Sequence, residues 1–402
     1  SGWWNLHRLE AGGPRNLLPT DAEFGLPMWQ LRMTSYAFVD AGHVLVSYVR
    51  GGHHHPAILD VESNGLEPIA AGFEPTDYVA AAPGRAWFMS ESPLSAPGVV
   101  RVDLRTRQVE VVRQAFADAP DPGYLSQAQP IEFPGSGGAT THAFYYPPRN
   151  RDYAAPAGEA PPLIVVSHGG PTSAAHAGLY LPYQFWTSRG FAVVDVNYGG
   201  STGYGRAYRE RLNGQWGIVD VEDCIAAAQY LVAQGKADAK RLIIRGGSAG
   251  GYTTLAALAF HDVFRAGAVY YGVSDIEALA KDTHKFESRY LDRLVAPYPE
   301  GRDVYLQRSP IYFTDQLRAP MILFQGLDDK VVPPDQSQRM ADAVRQRGLP
   351  VAYIAFAGEG HGFRNAHNLV RATEAELYFY GKVFGFAPDD AIEPVAIDNL
   401  PP

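Results

Sequence analysis

Arg241-Leu-Ile-Ile-Arg245-Gly246-Gly247-Ser248-Ala249-Gly250-Gly251-Tyr252 is the stretch on which the fold turns. A short apolar strand runs into a glycine-rich turn, and a helical stretch from Tyr252 to Phe260 follows. Gly-x-Ser-x-Gly between a strand and a helix is a nucleophile elbow. The serine of an elbow sits on a tight, strained turn, so that its Oγ projects from the sheet. Gly246 and Gly250, two before and two after Ser248, let strand and helix approach without Cβ clashes. The amide of Ala249 opens the helix, where it can stabilise a developing oxyanion.

A hydroxyl nucleophile needs a base, and the base needs an orienting acid. In elbow-bearing folds these follow the serine in the order acid, then histidine. After the strand Met321–Phe324 comes Gln325-Gly-Leu-Asp328-Asp329-Lys-Val-Val-Pro333, and after Val351–Phe356 comes Ala357-Gly-Glu-Gly-His361-Gly-Phe363. Both segments leave strand C-terminal ends, the ligand-binding edge of an open α/β sheet. His361 is the expected base. Asp329 ranks first as the acid, ahead of Asp328 and of Asp275, which follows the strand Ala266–Tyr271. The second oxyanion amide is expected from the loop after Leu163–Ser167, which reads His168-Gly169-Gly170-Pro171, with Gly170 preferred. His168 precedes the serine in the chain and is read as structural.

From about residue 127 to 402 near-continuous apolar strands alternate with helical stretches, among them Val219–Gln234, Tyr252–Phe260 and Pro334–Arg347. That pattern predicts an α/β domain with a mostly parallel sheet buried on both faces. Cys224, the single cysteine, falls within the first of these helices and reads as packing rather than as a nucleophile.

Residues 1–126 read differently, as short strands separated by turns. Gly42 recurs as Gly84 and Asp60 as Asp103, a period of about 42 residues that suits β-propeller blades. The opening Trp3–Leu9 reads as inner strands of a preceding blade. About two and a half blades cannot close a ring. The expectation is therefore an incomplete propeller before an α/β-hydrolase domain, completed by a missing N-terminal segment or by another chain, such as a second copy.

The chain has 34 Lys+Arg against 43 Asp+Glu, a net charge of -9, which argues against a nucleic-acid partner. No apolar run is long enough for a membrane span, and the N-terminus lacks a signal-peptide pattern. With one cysteine, this predicts a soluble, cytoplasmic protein. Consecutive histidines rarely converge on one ion, so His53-His54-His55 is expected as a solvated loop, and neither metal nor cofactor is expected.

Ser-His-Gly-Gly-Pro (167–171), Asn-Tyr-Gly-Gly-Ser-Thr-Gly-Tyr-Gly (197–205), Gly-Gly-Ser-Ala-Gly-Gly-Tyr (246–252), Gly-Leu-Asp-Asp-Lys-Val-Val-Pro-Pro (326–334) and Gly-Glu-Gly-His-Gly-Phe (358–363) together resemble the prolyl oligopeptidase family. The resemblance is to its bacterial dipeptidyl-aminopeptidase and acylaminoacyl-peptidase branch. It implies cofactor-free hydrolysis of short peptides through an acyl-enzyme, and its Asp-x-x-Val-Pro pattern supports Asp329 as the acid. It also implies an apolar acyl-side pocket lined by Phe286, Tyr290 and Val332, with Glu287 turned away. Gly199 departs from the arginine often found there. A carboxylesterase or amidase would use the same triad, and a catalytically silent binding protein would keep the fold alone.

Overall fold

The computed structural model describes residues 2–27, 32–70, 72–118 and 120–400. The N-terminal part begins with a hairpin of β1 (His7–Glu10) and β2 (Gly13–Asn16). Two four-stranded antiparallel meanders follow. One joins β3 (Tyr36–Phe38), β4 (His43–Arg50), β5 (His53–Asp60) and β6 (Leu66–Pro68). The other joins β7 (Glu74–Ala82), β8 (Arg85–Glu91), β9 (Gly98–Asp103) and β10 (Val109–Gln114). Leu45 and Ile58 of the first sheet share a core with Val79, Phe88, Val100 and Val102 of the second, the face-to-face packing of adjacent propeller blades.

The sequence period has a structural cause. The Gly42 carbonyl accepts from the Val61 amide and the Gly84 carbonyl from that of Leu104. Asp60 accepts from the amides of Glu62 and Ser63, and Asp103 from those of Arg105 and Thr106. The same turn is therefore built twice, once per blade. Among the described residues, the two blades and the hairpin do not close a ring.

Two expectations for this part are corrected. The strand at the opening begins only at His7, because Trp3 and Trp4 pack on the second domain: the Arg209 guanidinium lies 3.8 Å from the Trp4 ring centroid. The histidine triplet is no solvated loop but the start of β5, where His54 is buried and His53 Nδ1 lies 2.9 Å from Glu74.

The second part is an eight-stranded sheet. Its strands are β11 (Gln129–Pro134), β12 (Thr140–Tyr146), β13 (Leu163–Ser167), β14 (Ala192–Asn197), β15 (Leu242–Gly247), β16 (Ala266–Tyr270), β17 (Met321–Gly326) and β18 (Val351–Phe356). They are ordered β11-β12-β14-β13-β15-β16-β17-β18, and only β12 runs against the others, pairing antiparallel with both β11 and β14. The helices are α1 (Leu181–Thr187), α2 (Arg206–Glu210), α3 (Val219–Ala233), α4 (Ala249–Phe260), α5 (Ile276–Asp282), α6 (Tyr290–Leu294), α7 (Arg302–Arg308), α8 (Pro334–Gln346) and α9 (Ala366–Phe384).

β14 and β17 are buried along their whole length, as strands covered on both faces must be. Leu231, Leu255 and Met340 from α3, α4 and α8 pack one face, and Trp186, Phe379 and Tyr380 from α1 and α9 the other. Among the described residues no helix is long and apolar enough to cross a membrane, and no cluster of side chains is suited to a metal ion.

Candidate active site

Ser248 takes φ 55° and ψ -120°, a region a non-glycine residue seldom enters. Its surroundings hold it there. A Cβ on Gly250 would stand 2.0 Å from the Ser167 carbonyl oxygen, and one on Gly246 2.3 Å from the Gly250 carbonyl carbon. Only glycine permits that approach of β13, β15 and α4. The helix accordingly begins at Ala249, earlier than the glycine run suggested.

His361 Nε2 lies 2.9 Å from Ser248 Oγ, and His361 Nδ1 lies 2.8 Å from Asp329 Oδ2. Asp329 is buried, and its Oδ1 accepts from the amides of Val331 and Val332 at 2.8 and 2.9 Å. A carboxylate fixed in this way holds the Nδ1 proton and turns the Nε2 lone pair toward the serine hydroxyl. The loops carrying Asp329 and His361 touch: a Cβ on Gly326 would meet the Glu359 and Gly360 carbonyl oxygens at 2.5 Å. Glu359 ties the histidine loop to α9 by accepting from the amides of Arg364 and Asn365 and from Asn368.

The two lesser acid candidates are elsewhere. Asp328 is exposed. Asp275 caps α5, accepting from the amides of Glu277 and Ala278, and takes the Tyr312 hydroxyl at 3.0 Å. His168 is half-buried and bonded to Ser201 Oγ at 2.7 Å, and desolvation of its ring pushes its pKa down to about 4. Cys224 is buried, and burial raises its thiol well above the usual range.

Ser248 and His361 open into a cavity of about 730 Å³. Ala249 and Gly170 are in its wall, and Gly170 has φ 116°. Trp216, Val273, Leu279, Tyr290, Leu291 and Val332 form one apolar arm. The Tyr290 hydroxyl is 2.6 Å from that of Thr172. Phe286 does not belong to this arm: it is 96% exposed. The 3₁₀ turn Lys285–Glu287 directs it to solvent and brings Glu287 to the cavity wall, the reverse of the expectation. At Gly199 a Cβ would meet Arg211 at 2.7 Å; Arg211 fills that space and pairs with Asp223 at 3.2 Å.

Residues 179–387, more than half of the chain and the span that holds Ser248, Asp329 and His361, match the prolyl oligopeptidase family. The chain belongs to the prolyl oligopeptidase family. Within that family it is 31% identical over 296 residues to dipeptidyl aminopeptidase BIII of Pseudoxanthomonas mexicana, covering 71% of this chain and 42% of that protein. It is 26% identical over 299 residues to the acylamino-acid-releasing enzyme of Arabidopsis thaliana, covering 70% and 36%. A puromycin-hydrolyzing peptidase of Mycobacterium tuberculosis superposes with a TM-score of 0.95 at 45% identity, over 99% of this chain and 62% of that one. The chain thus spans between 36% and 62% of the length of these family members.

Proposed function

We propose that this chain carries the catalytic centre of a serine peptidase that cleaves short peptides or aminoacyl amides through an acyl-enzyme. The observation that carries the reading is the contact series Ser248 Oγ–His361 Nε2 at 2.9 Å and His361 Nδ1–Asp329 Oδ2 at 2.8 Å. The Ser248 proton passes to His361 Nε2 as Oγ bonds to the scissile carbonyl carbon. The amides of Ala249 and Gly170 are the donors proposed for the oxyanion. The carbonyl re-forms, the C–N bond breaks, and the imidazolium proton goes to the departing amine. Water deprotonated by His361 then cleaves the ester, releasing the acid and restoring the Ser248 hydroxyl.

The arm around Tyr290 and Val332 supports a preference for an apolar residue on the acyl side. The names of the relatives, a dipeptidyl aminopeptidase, an acylamino-acid-releasing enzyme and a puromycin-hydrolyzing peptidase, support a peptidase reading. We take residues 1–126 and 127–402 as two units; the division falls between β10 and β11. The N-terminal blades favour a peptidase over a simple esterase, because a small acyl ester needs no second domain to limit access.

A fluorophosphonate probe followed by a library of short peptides with free and acetylated N-termini tests the proposal. Adduct formation at Ser248 and turnover of peptides with apolar acyl-side residues are expected. No adduct would favour a binding protein, and turnover of p-nitrophenyl esters without any peptide would favour an esterase.

A further inference from the structure

The residues lining the active-site cavity fall into two groups: Trp216, Val273, Leu279, Leu291 and Val332 belong to the core on one face of the sheet, whereas Tyr183, Tyr270, Phe363 and Ala372 belong to the core on the other and border a second arm. During acylation the leaving nitrogen must come within hydrogen-bond reach of His361 Nε2. Whatever is attached to that nitrogen continues into the space bordered by the histidine's own loop. That space is aromatic. The Tyr271 ring meets the His361 ring edge-on at 4.8 Å between centroids, and Phe363 lies 5.3 Å from Tyr271 and 6.2 Å from Tyr270. Across the cavity Tyr180 and Tyr183 form an edge-to-face pair at 4.7 Å. The rim is apolar and open to water: Tyr180 is 53% exposed and Leu369 46%.

Charge is neutralised at the floor. Arg245 lines this arm, and its guanidinium is met by Glu376 at 3.1 Å and lies 5.0 Å from the Tyr270 ring centroid. Glu287, on the cavity wall, takes the Thr283 hydroxyl at 3.3 Å and acts electrostatically on Tyr290, which groups it with the acyl-side residues. A charged leaving residue would therefore lose water without gaining a free partner, whereas a flat ring would meet edges and faces of other rings.

We propose that this arm is a leaving-group subsite for aromatic amines, selecting amides whose departing nitrogen carries an aromatic side chain or ring. It rests on the serine-peptidase reading and adds a second axis of selection, on the opposite side of the scissile bond.

The test holds one acyl group constant, the best one from the peptide library, and varies the leaving amine between phenylalaninamide, glycinamide and lysinamide. The three amines are of similar basicity, so intrinsic reactivity changes little. We expect kcat/KM for phenylalaninamide to exceed that for the other two by about tenfold or more. In Thr373→Trp, which fills the arm from α9, that ratio falls to about two, with Ser248 labelling by fluorophosphonate reporting that the centre is intact. If Thr373→Trp is not labelled, Tyr180→Ala at the rim reads the same ratio. Equal kcat/KM for the three amines in a labelled, active parent would overturn the subsite and leave the peptidase reading standing. A parent that is labelled but cleaves no amide would overturn the peptidase reading. The subsite then stands only if phenylalaninamide slows labelling of Ser248 and glycinamide does not. An unlabelled parent sinks both.

Discussion

Ser248 occupies its positive-φ backbone conformation because Gly246 and Gly250 allow three elements to crowd beneath it. The proposed chemistry draws on His361 and Asp329 as well as on the serine. Replacing Ser248 by Ala is expected to abolish acyl transfer. Asp329→Asn is expected to lower kcat/KM by about three to four orders of magnitude while leaving the melting transition nearly in place, because the wrong imidazole tautomer is then stabilised. Full activity in that variant would move the acid elsewhere, although neither exposed Asp328 nor the helix-capping Asp275 contacts His361. A second contrast lies on the segment after α5. Phe286→Ala should change kcat/KM by no more than about twofold, since the ring faces solvent. Tyr290→Ala should lower turnover of apolar acyl groups by about tenfold, through lost apolar contact in the arm. Equal losses from the two substitutions would contradict the pocket as drawn.

At the scale of elements, β14 and α1 meet through an uncommon pair. Asp195 on β14 is buried and takes the Tyr183 hydroxyl on its Oδ2 at 2.7 Å, while its Oδ1 has no hydrogen-bond partner. Burial pushes its pKa up to about 7 from an ordinary 3.8, against the opposing pull of Tyr183 and Arg245. The folded chain therefore holds this proton across a window in which the unfolded chain has released it. Its contribution to stability is complete below about pH 4 and is lost as pH rises through about 7. Asp195→Asn keeps an acceptor for Tyr183 and removes the titration. The variant should gain on the parent between pH 4 and pH 8, measured by urea unfolding at several pH values. A stability difference that does not change with pH would show that Asp195 is ionised throughout.

For the whole molecule, the blades meet the α/β domain through an ion pair, backbone hydrogen bonds and ring contacts. Arg209 on α2 pairs with Glu23, whose carboxylate also accepts from the Trp4 amide at 2.8 Å. The Leu179 amide reaches the Ser92 carbonyl at 2.8 Å, and the rings of His54 and His176 lie 5.2 Å apart. Glu23 is buried, so removing its partner leaves a charge in the seam without compensation. Arg209→Ala should cost about 3–5 kcal/mol by chemical denaturation, whereas a double change of Glu23 to Gln with Arg209→Met should recover most of it. A loss below about 1 kcal/mol in the single variant would mean that water reaches Glu23.

That Ser248, Asp329 and His361 come together was legible because each stands in a local device written in consecutive residues. The elbow glycines, the Asp-x-x-Val-Pro turn and the glycines around His361 are short-range steric requirements, and a strand end places each on the same sheet edge. The blades were legible for the same reason: Asp60 and Asp103 build one turn with neighbours two and three residues on. Other features depend on segments far apart in the chain. Burial of His54 follows from the docking of β5 against the segment that carries His176, and Trp4 leaves the strand pattern to meet Arg209. The aromatic arm exists only where α1, β16 and α9 converge. Phe286 and Glu287 show the limit most clearly. Adjacent residues on a turn must point in different directions, and which of them faces the cavity is set by how that turn packs against the rest of the fold, not by its own sequence.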